Sequence, residues 1–266
     1  MTDFAPGHRF YNPVGFRTEL PPPVSRFDAV ETLVVRFVTD RARLRALVPG
    51  FFDPPDEAVV SVAHSHNIGV DWLAGRTYYV SRVETPVLYR HGDEVLSGSF
   101  SLVIWESDAK PVILGRELQG YQKIVGNVPP HVIEGTSARF ECLEYDTPLF
   151  AGTLSNLAPV DEATFTAMRD QLDRTGQQSF GWKYIPRPEG GADVDYVTQL
   201  VFRGTLTEMR QGTGEIAFER PEWKDAPGCA HIMAALSGLP ILEYRPAVVT
   251  RWSNVTLPRD EVRRLS

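Results

Sequence analysis

The sequence predicts a β-dominated α+β domain whose antiparallel sheet is curved or closed on itself. Three observations carry this. Short runs rich in β-branched residues recur from residue 31 to residue 255. The 21 glycines and 21 prolines are scattered along the 266 residues, so turns are frequent. Only one segment carries a long helical apolar stripe, which leaves strands to build the core.

The elements follow in order. Residues 1–28 hold Pro13, Pro21, Pro22 and Pro23 and read as an irregular arm; residues 29–266 read as a single domain, since no linker or repeat divides them. Residues 31–38 (ETLVVRFV) predict a strand. Thr39 and Asp40 then offer a helix cap, Leu44 and Leu47 share one helical face, and Pro49-Gly50 ends the turn. Residues 58–63 predict a strand. Residues 77–89, interrupted by Pro86, form a hairpin with 99–105 through the turn at His91-Gly92-Asp93-Glu94. The apolar run 111–114 reads as a short strand, and 139–145 and 147–154 as two more. Residues 161–175 are the best helix: Asp161 caps it, Phe165, Met168 and Leu172 form its stripe, and Gly176 ends it. Further strands are expected at 182–185, 197–202, 205–209, 215–218 and 248–255.

Composition narrows the function classes. Lys plus Arg number 27 against 34 Asp plus Glu, a net charge of −7. An acidic chain without a basic run is a poor binder of nucleic acid or anionic membranes. No apolar stretch approaches the roughly 18–20 residues of a membrane span, and the first residues lack a basic-then-apolar signal pattern. The two cysteines, Cys142 and Cys229, stand in no metal or redox spacing, so a cytoplasmic protein is expected.

Motifs for phosphate loops, dinucleotides and serine nucleophiles are absent. His64 and His66 stand at i, i+2 and would face one side of a strand, the start of a metal site with no third ligand nearby in sequence; two histidines near a strand end is the ordinary alternative, and no metal ligand is assigned. Cys229 in APGCAHIM reads as a small buried thiol at a helix start. The informative stretch is PVILGRELQGYQKIVGNV, residues 111–128. Lys123 stands there beside Ile124 and Val125, and desolvation among apolar neighbours disfavours an ammonium ion. A neutral amine is what imine chemistry on a ketone requires. A solvated lysine is the ordinary alternative.

GRELQGYQKIVG resembles the signature of the acetoacetate decarboxylase-like superfamily, Gly-Arg-Glu followed after four residues by a Pro-Lys-Lys or variant. The likeness extends in order along the chain. VVRFVTDRARLRALVPGFF is similar to the family's early strand and helix, TPVLYRHG to its Pro-Val-x-Tyr-x-Gly hairpin, WKYIPRPEG to its Lys-x-Ile-Pro segment, and GLPILEY and TLPRDEV to its C-terminal strand and tail. The resemblance implies a barrel-like antiparallel core with a few flanking helices, a homo-oligomer, and a Schiff-base lysine at Lys123. Acetoacetate decarboxylase is itself a standard example of an enzyme with an activated lysine nucleophile.

The departures are as informative. The family's second lysine is Ile124 here, and its proline before the first is Gln122. The arginine that holds the substrate carboxylate aligns with Val30; Arg26 and Arg36 are close but out of register. The family's catalytic glutamate aligns with Val80 when counted from Pro86, and with Glu84 when counted from Arg116; positions 80 and 84 share one strand face. Glu84 is therefore the candidate proton shuttle, with an ordinary solvent-facing strand glutamate as the alternative. Arg116 is expected either to hold a carboxylate or to brace the turn that aims Lys123. Tyr121 and Gln122 are expected beside the imine. These changes make plain acetoacetate decarboxylation doubtful and favour the enamine chemistry of the superfamily's aldolase-dehydratases. The expected function is thus an imine-forming lyase acting on a small oxo acid or ketone, without organic cofactor, metal, nucleic-acid or membrane partner. A non-catalytic small-molecule-binding or cyclase-like protein on the same fold is the alternative, and a buried Lys123 lining a cavity would favour the enzyme.

Overall fold

A computed structural model describes residues 10–11, 18–19 and 22–265. Most of the irregular arm expected at 1–28 lies outside these residues, and residues 24–28 already belong to the first long strand, Val24–Val38.

One sheet dominates. Its strands run in the spatial order Gln177–Pro186, Glu94–Glu106, Arg76–His91, Val59–Val70, Val24–Val38, Glu243–Pro258 and Ala192–Phe218, and the last pairs back onto the first. The sheet is therefore a ring of strands. Beyond Ala192–Phe218 it continues outward through Thr147–Pro159, Ser137–Glu144 and Val132–Glu134. Nearly all neighbours are antiparallel, as alternating hairpins require. The ring closes through a short parallel seam, Ser179 opposite Ser99 and Phe180 opposite Phe100. A second parallel pairing sets Lys123–Val125 beside Glu94–Glu106.

Two differences from the sequence reading have local causes. Segments 197–202, 205–209 and 215–218 are one strand, Ala192–Phe218, bent by register shifts at Arg203/Thr205 and Leu206/Glu208. A bulge inserts a residue and bends the strand without ending it, so the polar and glycine positions that suggest breaks are bends. The apolar run at 111–114 is not a strand but part of the helix Ala109–Leu114. Asp108 caps it by accepting from the Lys110 backbone N–H at 2.8 Å, and Pro111 stands in the first turn, where its missing N–H costs nothing. Four apolar residues in a row cannot by themselves distinguish strand from helix.

The helix Glu162–Thr175 forms as expected. The Asp161 carboxylate accepts from the Thr164 N–H at 2.9 Å, and Gly176 leaves the helix at φ 63°. No residue of this helix is buried, yet Met168 and Leu172 line the central cavity. The ring separates two cores. Leu33, Val35, Phe37, Val62, Val83 and Trp105 pack with the 137–159 hairpin and the helix Ala230–Leu236 on the outer face. Phe27, Tyr78, Val80, Ile104, Leu206 and Trp252 pack inside it.

Candidate active site

The interior of the ring is a cavity of about 690 Å³. Period-2 alternation chooses its walls. On Arg76–His91 the residues Tyr78, Val80, Arg82 and Glu84 face it, while Val83 and Val87 face the outer core. On Val24–Val38, Val30, Thr32, Val34 and Arg36 face it. On Glu94–Glu106 the alternation changes phase. Val83 pairs Val103 but Glu84 pairs Ser101, so Leu102 is the extra residue of a bulge. Ser99 and Ser101 face the cavity before it, Ile104 and Glu106 after it. The bulge is what turns Glu106 inward.

Lys123 reaches the cavity through an unusual turn. After Ala109–Leu114 the chain widens into a single π-type turn, Gly115–Gln119, and then enters the short strand Lys123–Val125. Gly115 makes space for the lysine: a Cβ there would lie 2.5 Å from Lys123 Cδ and Cε. Gly120, at φ 78°, lets the backbone reverse against the strand Gln177–Pro186, where a Cβ would lie 2.5 Å from the Lys183 nitrogen. Trp182 N–H donates to the Gly120 carbonyl at 2.8 Å and Ile104 N–H to the Gln122 carbonyl at 2.9 Å, which fixes the segment on both sides.

Lys123 is 8% exposed. Its Nζ donates to Glu106 Oε1 at 2.8 Å and to the Pro111 carbonyl at 3.2 Å, and it stands 5.6 Å from the centre of the Tyr121 ring. Glu106 is buried, and burial pushes its carboxyl above the ordinary range while Lys123 pulls it back. Its second oxygen, Oε2, is buried without a hydrogen-bond partner. The amide nitrogen of Gln119, also lining the cavity, is likewise buried and unpartnered. Buried polar atoms are rarely left so, and these two are where a bound molecule's polar atoms would be received.

The structure distributes the expected site residues unevenly. Lys123, Tyr121 and Glu84 line the cavity. Tyr121 is buried and its hydroxyl donates to Ser179 Oγ at 3.2 Å; burial raises its pKa, so it stays a phenol. Glu84 accepts from Arg82 Nε at 3.1 Å, and Arg82 Nη1 donates to Ser65 Oγ at 3.0 Å. The acid expected to serve the lysine is therefore engaged with Arg82, and Glu106 meets the amine instead. Arg116 and Gln122 are not among the cavity walls. Arg116 Nη1 donates to the Lys123 carbonyl at 3.0 Å, the bracing arrangement, and Gln122 Nε2 donates to the Gly120 and Trp182 carbonyls at 3.2 and 3.1 Å. Both hold the lysine's segment rather than face a ligand.

Sequence reasoning misses two residues, Glu106 and Gln119. For Glu106 a signal exists: an acid ending the run SLVIWE, one strand away from Lys123. Its inward direction depends on the bulge at Leu102, which no local pattern reveals. Val80 and Glu106 are paired across neighbouring strands. The carboxylate thus stands opposite the position to which the resemblance assigned the family's acid. Val30 and Val80 both face the cavity as apolar groups, and Ile124 packs against the outer core. Cys229 accepts from Trp105 Nε1 at 3.2 Å and burial pushes its thiol up to about 12, which makes it a packing residue.

Comparison with known proteins finds relatives of this sequence and of this fold. The sequence profile described as acetoacetate decarboxylase matches residues 11–251. The chain belongs to the acetoacetate decarboxylase family. Acetoacetate decarboxylase of Ralstonia nicotianae is 25% identical over 230 residues, covering 84% of this chain and 82% of that one. The crystal structure of acetoacetate decarboxylase from Legionella pneumophila superposes with a TM-score of 0.73 at 19% identity, covering 91% of this chain and 87% of that one. The enduracididine biosynthesis enzyme MppR complexed with pyruvate superposes with a TM-score of 0.68 at 15% identity, covering 98% of each. The family and its relatives support an enzyme of the acetoacetate decarboxylase-like kind. Among the described residues no helix is long and apolar enough to cross a membrane.

Proposed function

We propose that this family member is a carbon–carbon lyase that captures an oxo acid or ketone as an imine on Lys123, with Glu106 moving the proton. The observation that carries this reading is the 2.8 Å contact of Lys123 Nζ with the Glu106 carboxylate inside the cavity. In a dry pair the ammonium proton passes to the carboxylate, which leaves a neutral amine and a neutral acid. The amine attacks the carbonyl carbon. One amine proton passes to the carbonyl oxygen to give a carbinolamine, Glu106 gives its proton to that hydroxyl, water leaves, and an iminium ion forms. That ion draws electrons from an adjacent bond. Glu106, now a carboxylate, removes an α-proton from the iminium of a 2-oxo acid and an enamine results; the enamine carbon attacks an aldehyde carbon, the iminium re-forms, and the aldehyde oxygen takes the proton from Glu106. Water finally releases the product from Lys123. A β-keto acid would reach its own enamine, that of the product ketone, by losing carbon dioxide.

The condensation route is favoured by what lines the cavity. Valines occupy positions 30 and 80, and Arg82 is neutralised by Glu84. MppR, a structural neighbour, is described as complexed with pyruvate. The size also bears on the substrate. Cavities of about 300–1,000 Å³ hold drug-sized ligands. A small oxo acid would fill only a corner of this one, so the second reactant carries a bulky, largely apolar body that packs on Phe27, Leu206, Met209 and Trp252.

The test is reductive trapping. The protein is incubated with pyruvate, acetoacetate and a set of aryl and long-chain oxo acids and ketones, each with borohydride, and the mass of the intact and digested protein is read. An adduct on the peptide that carries Lys123, absent from a folded Lys123→Ala variant, is expected. Carbon dioxide release against aldehyde consumption then separates decarboxylation from condensation. No adduct across the panel would overturn the lyase reading in favour of a binding protein.

A further inference from the structure

Outside the cavity the fold assembles a group that is incomplete in the sequence. His64 and His66 project from the side of Val59–Val70 opposite Ser65 and Asn67, which face the cavity. The segment that follows the Lys123 strand brings His131 to them. One ring nitrogen from each of the three lies within 4.8 Å of the others. The His66 and His131 rings stack with centroids 3.5 Å apart, and the His64 ring stands 5.4 Å from that of His131.

Neighbours engage one nitrogen of each buried ring and leave the other over. His131 Nε2 lies 2.9 Å from Glu31 Oε1; a carboxylate only accepts, so Nε2 carries the proton and Nδ1 a lone pair. His64 Nδ1 lies 2.8 Å from Ser81 Oγ, and with Nδ1 donating there, Nε2 carries the lone pair. Both of these leftover atoms, His131 Nδ1 and His64 Nε2, are buried without a hydrogen-bond partner. The two residues are 6% and 0% exposed. The Pro129 carbonyl, close enough to favour a proton on His64, lacks hydrogen-bond geometry. His66 accepts from the His131 backbone N–H at 2.9 Å.

We propose that His64, His66 and His131 form a binding site for one divalent transition-metal ion, zinc by its ligand type, on the outer face of the strand that walls the cavity. Three imidazoles suit zinc and its first-row neighbours, and leave a fourth position for water. A water molecule could meet the two unpartnered nitrogens; the third imidazole, with a ring nitrogen within 4.8 Å of theirs, is what a cation would use and a water would not need. The Glu31–His131 contact is the carboxylate–histidine arrangement that orients metal ligands. Binding opens the His66–His131 stack and frees the His131 N–H, since nitrogens on a tetrahedral ion stand about 3.3 Å apart with bonds of about 2.0–2.1 Å. The ion then pins residues 129–131, downstream of Lys123, to the strand whose other face holds Ser65 and Asn67.

The full-length chain, stripped with chelator, is titrated with zinc by calorimetry and with cobalt by visible absorption. One ion per chain is expected, with a Kd of about 1 μM or tighter, cobalt bands of tetrahedral intensity, and a raised Tm. His66→Gln and His131→Gln should each weaken binding by about tenfold or more. His91→Ala, a histidine outside the cluster, should bind as the native chain does. Circular dichroism without metal checks that each variant is folded, and the half-buried His66→Gln suffices if His131→Gln is not. Absence of a stoichiometric ion, or binding unchanged in folded His66→Gln, would overturn the proposal.

Discussion

Lys123 and Glu106 divide one problem between them. Each would be costly to bury alone; at 2.8 Å they can share a proton and be buried together. The sign of the pH effect follows from Glu106. Its folded-state pKa is raised from 4.5, mainly by burial. The unfolded chain therefore releases this proton first. The stability tied to the protonated carboxyl is fully present below about pH 4.5 and is lost as pH rises through the higher folded value. Urea unfolding of Glu106→Gln against the native chain should show the balance moving toward the variant as pH rises from about 4.5. Trapping at Lys123 should fall in the same variant, because an amide cannot take the ammonium proton. If the two proteins keep a constant stability difference across that range, Glu106 is not the perturbed group.

At the level of the element, the turn at Gly115–Gln119 is built around the lysine. Its first residue has ordinary helical φ, −67°, so a side chain there meets no backbone strain. What it meets is Lys123, with Cβ 2.5 Å from Cδ and Cε and 2.7 Å from Nζ. Gly115→Ala should therefore leave the fold intact and displace the amine. Borohydride trapping should drop by at least an order of magnitude while Tm changes little, since only a side chain must move. Unchanged trapping would mean that the lysine tolerates the shift and that Gly115 serves only the turn. The Gly-Arg-Glu run thus acts through space and bracing: Gly115 admits the lysine's stem and Arg116 holds its carbonyl.

Across the whole molecule, the ring closes at its weakest join. The seam between Gln177–Pro186 and Glu94–Glu106 has two paired positions, whereas the hairpin between Gln177–Pro186 and Ala192–Phe218 is paired along almost the whole length of its first strand. Packing reinforces the seam. Phe180 is fully buried, with its ring 5.3 Å from Phe52 and 6.0 Å from Tyr89. Phe180→Ala should cost about 3–5 kcal/mol by leaving a cavity in that aromatic cluster. Hydrogen exchange should then accelerate first at residues 98–101 and 178–181, ahead of the Val24–Val38 and Glu243–Pro258 pair. Uniform acceleration across the sheet would show that the ring unfolds as one unit.

Much of this was legible from local chemistry. Period-2 runs, the Asp161 cap and the Gly176 stop placed most strands and the long helix, because these signals act within a few residues. The GREL segment singled out Lys123, and the expected common face of positions 80 and 84 is seen in the cavity wall. The sheet's closure, the bulge at Leu102 and the meeting of His131 with His64 and His66 depend on contacts between segments far apart in the chain. Glu106 illustrates the boundary. Its side chain faces Lys123 only because one extra residue on its strand changes the phase of alternation against the neighbouring strand. Local sequence decides which residues form a strand and which of them share a face; strand pairing decides which face looks inward and what each side chain meets there.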